Sequence, residues 1–222
     1  MMKVVFFFFF CLVLVWGSFL ASSQVDVLQG EVYKILYIHV PNALCAFFSS
    51  FLLFLSSLFI LLGKKKKFLP YAKASADIGF IFTLLTLVTG SIWGKPTWGT
   101  WWTWDARLTT TFLLAILYGA YHFLWQVAET TEKRMKICSV IGILIFADIP
   151  IIYKSVSWWR TLHQPPSLFV ASSSPMSSSI YWPLVVSIIL TLLFSLSLIV
   201  RRANNLKLAE TLEEKAMKSS FS

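Results

Sequence analysis

The chain has 222 residues, 57% of them hydrophobic and only 13% charged, with 20 Phe and 10 Trp. A soluble domain of this size needs more polar residues to face water, so composition excludes one and makes the bilayer the solvent. The formal net charge of +9 does not imply nucleic acid, because the basic residues stand in short clusters beside apolar runs, where anionic lipid and membrane topology account for them.

A membrane helix takes roughly 20 apolar residues. Six runs approach that length, at 4–21, 43–63, 74–93, 108–127, 137–153 and 180–200. They predict an all-α polytopic membrane protein, a bundle of six transmembrane helices over residues 1–203 with a weakly amphipathic cytoplasmic tail at 204–222. Lys3, the Phe-rich stretch and the small residues near Ala21 also fit a signal peptide, but the apolar run is long for one, and a retained helix is the expectation. Starting in the cytoplasm, the alternation places 14 Lys and Arg on the cytoplasmic side and 5 on the other. The positive-inside rule therefore puts both termini in the cytoplasm, or in its mitochondrial equivalent.

The longer outer connections, at 22–42, 94–107 and 154–179, are where function is expected. His39 sits at the entry to the run at 43–63, with Pro41 suited to a first helical turn. Five tryptophans lie between Trp93 and Trp104. Indoles favour the membrane interface, which explains one Trp but not this density. If the stretch is helical, Trp98, Trp101, Trp102 and Asp105 fall at i, i+3, i+4 and i+7 and make one flat aromatic shelf for a planar apolar ligand.

Asp105 is placed to cap the next helix, and Arg107 either pairs with Asp105 or supplies a forked cation to a carboxylate-bearing ligand. His163, beside Trp158, Trp159 and Arg160, shares the side of His39 and the Trp-rich loop. Two neutral imidazoles suit the axial positions of haem iron. His122 lies about 21 Å along its helix from Leu108, toward the cytoplasm, where satisfying a bundle neighbour is the simpler reading. Asp148, before Pro150, is the acid deepest in an apolar run and is expected to bond to backbone freed by the proline. Cys11, Cys45 and Cys138 fall within apolar runs and no C-x-x-C occurs, so thiol relays and covalent haem attachment are unsupported.

The stretch from Trp93-Gly-Lys-Pro through Trp98-Gly-Thr-Trp-Trp-Thr-Trp-Asp105-Ala-Arg-Leu-Thr resembles the tryptophan-rich WWD signature of haem-handling proteins. With Tyr37-Ile-His39-Val-Pro41 and Trp158-Trp159-Arg-Thr-Leu-His163-Gln164, it is similar to the CcmC family of the cytochrome c maturation system, over about residues 30–164. The resemblance implies a haem-delivery protein, not an enzyme, that binds haem b non-covalently at the outer face of the bacterial or mitochondrial inner membrane.

By the same resemblance His39 and His163 match the axial ligands, while Trp98, Trp101, Trp102, Trp104 and Asp105 match the motif that supports haem and chaperone contact. The partners it implies are the haem chaperone CcmE, CcmD and the CcmA–CcmB ABC transporter, and the basic clusters beside the apolar runs add membrane lipid. Two positions depart from the family pattern: Asp148 stands where Asn is expected, and Arg160 replaces an uncharged residue, adding a candidate propionate partner to Arg107. A bis-histidine membrane cytochrome and a cofactor-free transporter subunit are the alternatives. Longer bearers of the signature, CcmF and the CcsA-type synthases, have more membrane segments than 222 residues supply.

Overall fold

The computed structural model describes residue 17 and residues 29–63, 65–163 and 177–220. Within them lie α1 (Leu36–Gly63), α2 (Leu69–Trp98), α3 (Ala106–Val127), α4 (Thr131–Trp158) and α5 (Ser178–Ser220), with 3-10 turns at Glu31–Ile35 and Lys66–Phe68. All five α-helices are long and apolar enough to cross a membrane. They contain the last five predicted runs; the first, at 4–21, falls outside the described residues except for Gly17.

Each helix outruns the apolar segment that predicts it, because tertiary burial and caps act beyond the hydrocarbon boundary. Leu36 and Tyr37 pack with Leu184 and start α1 seven residues early, so Pro41 stands inside the helix rather than in its first turn. Gly99, at φ 78°, closes α2 in the left-handed conformation and donates its N–H to the Lys95 carbonyl at 3.0 Å. Asp105 and Thr130 cap α3 and α4, accepting from Leu108 N at 2.8 Å and Lys133 N at 3.2 Å. The last helix runs unbroken from the apolar 180–200 stretch through the predicted tail to Ser220.

Helix α1 is central, packed by α2, α4 and α5, while α3 lies against α2 and α4. Lipid offers no hydrophobic gain for helix association, so close approach and small residues hold the bundle. A side chain at Gly79 would collide with the buried Tyr118 hydroxyl, which bonds Ser50 at 2.8 Å and thereby ties α3 to α1 across α2. The antiparallel course of α1 to α5 collects His39, Trp98, Asp105 and His163 at one end. Lys65–Lys67, Lys133, Arg134 and Arg201 lie at the other.

Candidate functional site

A cavity of about 330 Å³ opens at the tryptophan end and reaches between all five helices, down to the buried Thr83 and Leu114. His39 on α1 and His163 in the loop after α4 both line it. Two elements far apart in sequence are thus brought to one space.

Each imidazole is anchored through Nδ1. The His39 nitrogen lies 3.0 Å from Thr89 Oγ1, and that hydroxyl donates its own hydrogen to the Leu85 carbonyl at 2.7 Å. Toward His39 the hydroxyl is therefore an acceptor, so Nδ1 carries the ring proton and Nε2 keeps its lone pair. Trp93 holds the ring edge-on at 5.7 Å between centroids.

His163 Nδ1 lies 2.8 Å from Asp105 Oδ2, and its backbone N–H donates to Thr161 Oγ1 at 2.8 Å. A carboxylate that orients a histidine through one nitrogen and frees the other for a metal is a familiar outer-shell arrangement. Asp105 is tied in three ways: Oδ1 caps α3, while Oδ2 accepts from His163 and from the Leu162 N–H at 3.3 Å. Burial pushes its carboxyl up, but the Leu108 N–H and the nearby His163 ring outweigh it and hold the group below the usual carboxylate range. For His163 burial wins: it lowers the ring below its ordinary value although Asp105 pulls the other way, leaving a neutral imidazole at pH 7. Trp98 packs edge-on against that ring, with centroids 4.8 Å apart.

Arg107 also lines the cavity. It makes no ion pair with Asp105 among the described residues; one terminal nitrogen donates to the Tyr153 carbonyl at 3.5 Å, and Nε is buried with no partner. An orphaned guanidinium N–H beside two neutral imidazoles fits a ligand that carries acid groups.

The helical shelf expected from Trp98 to Asp105 is absent, because Gly99 ends α2 and residues 99–105 form a non-helical connection. Only Trp98 of that set faces the cavity. Trp101 and Trp104 are 57% and 74% exposed, and Trp102 packs against Trp104 and Phe112 instead. Arg160 is exposed and lies outside the cavity wall.

One stripe of α2, formed by Thr83, Thr86, Gly90 and Thr97, contributes wall residues that the sequence does not single out. With Thr89 they recur at helical spacing, and that periodic row of small and polar residues was the available signal.

His122 behaves as expected, bonded at the opposite end to Lys73 at 3.0 Å and near Asp77 at 3.5 Å. Asp148 does not: it is 4% exposed, and neither carboxyl oxygen has a hydrogen-bond partner, so no backbone group freed by Pro150 reaches it. No group of three or more His, Cys, Asp or Glu able to hold a bare metal ion occurs among the described residues.

The family described as Heme exporter protein C matches residues 1–218. Heme exporter protein C of Bradyrhizobium diazoefficiens is 41% identical over 175 residues, which are 78% of this chain and 66% of that protein. A ccmC-like mitochondrial protein of cytochrome c biosynthesis from Marchantia polymorpha is 43% identical over 166 residues, 74% of this chain and 68% of the relative. The Escherichia coli K12 Heme exporter protein C is 37% identical over 191 residues, covering 84% and 77%.

Proposed function

The chain belongs to the Heme exporter protein C family, membrane proteins of haem transport in cytochrome c biogenesis rather than enzymes, and from that membership we propose that it carries haem b non-covalently in this cavity. In this reading His39 and His163 would hold the haem iron and Arg107 would meet a propionate, since all three line the cavity. The observation that carries the reading is the pair of Nδ1 anchors, Thr89 on His39 and Asp105 on His163, which leave both Nε2 atoms in the metal-binding form at one cavity.

In this reading the tryptophan end faces the periplasm or the mitochondrial intermembrane space, and the cation-rich end faces the cytoplasm or matrix. A cavity at the low end of cofactor-site volumes suits partial enclosure, which leaves an edge of the ligand open for transfer. The exposed indoles of Trp101 and Trp104 then form the surface that meets the chaperone CcmE, with CcmD and the CcmA–CcmB transporter completing the assembly. The site belongs to an inner membrane, bacterial or mitochondrial.

The test is an absorption spectrum of the detergent-purified chain and its His39→Ala and His163→Ala variants. Each variant should lose the low-spin bis-imidazole signature and most of the bound haem. Identical spectra in all three proteins would overturn the axial assignment.

A further inference from the structure

A second and larger cavity, about 840 Å³, lies at the cation-rich end between α1, α2 and α5. Its wall has two parts. Leu52, Leu55 and Phe59 of α1 face Leu196, Ile199 and Val200 of α5 and form an apolar trough. Lys66, Lys67, Tyr71 and Lys207 stand at its mouth. From Val200 to Lys207 the α5 axis advances about 10 Å, so the trough lies within the hydrocarbon and the lysines reach the level of phosphate.

Three lysines at the mouth stand with two carboxylates, Glu210 and Glu214, which leaves a net positive charge. Lys66 is paired with Glu210 at 2.5 Å. Lys207, by contrast, has only the neutral Tyr71 hydroxyl at 2.7 Å and the Tyr71 ring beneath it at 4.1 Å. Lys67 has only the Phe68 ring, at 5.4 Å. Neither of the two has a carboxylate within ion-pair distance among the described residues. Phe59 and Val200 in the trough remain 46% and 45% exposed, so the described helices do not cover it.

We propose that this groove is a specific site for an anionic glycerophospholipid, with one acyl chain between α1 and α5 and the phosphate held by Lys67, Lys207 and the Tyr71 hydroxyl. Basic pockets between membrane helices on the cytoplasmic or matrix side suit such headgroups, because lysines at the headgroup level attract anionic lipid. The trough selects a lipid over a free anion, and the lysines select an anionic lipid over a zwitterionic one. The site lies at the opposite end from His39 and His163 and stands independently of the haem reading.

The experiment uses the full-length chain, delipidated in detergent and then titrated with phosphatidylglycerol, phosphatidylcholine or inorganic phosphate, read by native mass spectrometry and thermal melting. Phosphatidylglycerol should remain bound as a one-to-one adduct and raise the melting temperature by several degrees, with little effect from the other two. In Lys67→Gln/Lys207→Gln the preference should vanish. Val200→Trp, which fills the trough and leaves the lysines intact, should lose the adduct while keeping its helical content. Equal retention of the two lipids, an equal response to phosphate alone, undiminished preference in both variants, or a second copy of the chain bound in place of lipid would each overturn the site.

Discussion

Both ends of the bundle hold a histidine beside an aspartate, and only one of them makes a site. At the tryptophan end Asp105 accepts a hydrogen bond from His163 Nδ1, the opposite nitrogen is left free, and the ring borders a cavity. At the cation-rich end Asp77 is shared: it pairs with Lys73, accepts from Arg202 at 2.7 Å, and lies 3.5 Å from His122 Nδ1, which Lys73 also contacts at 3.0 Å. There the carboxylate is spent on tying α2, α3 and α5 together, and His122 lines neither cavity. A histidine–carboxylate pair signals ligation only when the second ring nitrogen has somewhere to point.

That contrast is open to direct attack. The largest effect should come from exchanging the pair: His39→Ala/His163→Ala should leave the purified protein essentially without haem, whereas His122→Ala should keep wild-type haem content and show its cost only in thermal melting. Haem loss in His122→Ala would erase the distinction between the two ends.

Next in size is Asp105→Asn, which preserves shape and the cap acceptor but removes the charge that orients His163. Loss of an outer-shell carboxylate weakens metal affinity by roughly 10- to 100-fold. Haem titration monitored by absorbance would measure it, and unchanged affinity would reduce Asp105 to a helix cap.

Arg107→Gln should weaken haem about tenfold, as expected for one charge-assisted hydrogen bond. The difference should disappear when haem dimethyl ester replaces haem. A persistent difference would assign Arg107 to packing.

The smallest effect is on pH. A proton competes with iron for Nε2, so acid can only release haem, and burial has already lowered the His163 ring below its ordinary value. Occupancy should therefore stay flat from about pH 8 to about 6.5 and fall only below that. Release already between pH 8 and 7 would mean that the ring is charged in the folded protein.

Much of this molecule is legible in its sequence. The last five apolar runs became the five helices, because a chain in hydrocarbon must satisfy its backbone within each segment. Capping by Asp105 followed from its position ahead of an apolar run. The gathering of His39, His163 and Arg107 at one end followed from counting crossings. Asp148 was misread for a local reason, since sequence cannot show whether a polar neighbour stands within reach.

By itself, then, the sequence determined the solvent, the helices and the end of the bundle at which His39, His163 and Arg107 gather, all of which depend on composition and order along the chain. Tertiary structure decided the rest. Whether Trp98 to Asp105 continue as helix turned on a single left-handed glycine, and once Gly99 broke the helix, the expected shelf was divided into one cavity indole and an exposed pair. The cavity wall, the Thr89 and Asp105 anchors and the orphaned Arg107 depend on contacts 46 to 58 residues apart, which spacing within one segment cannot encode.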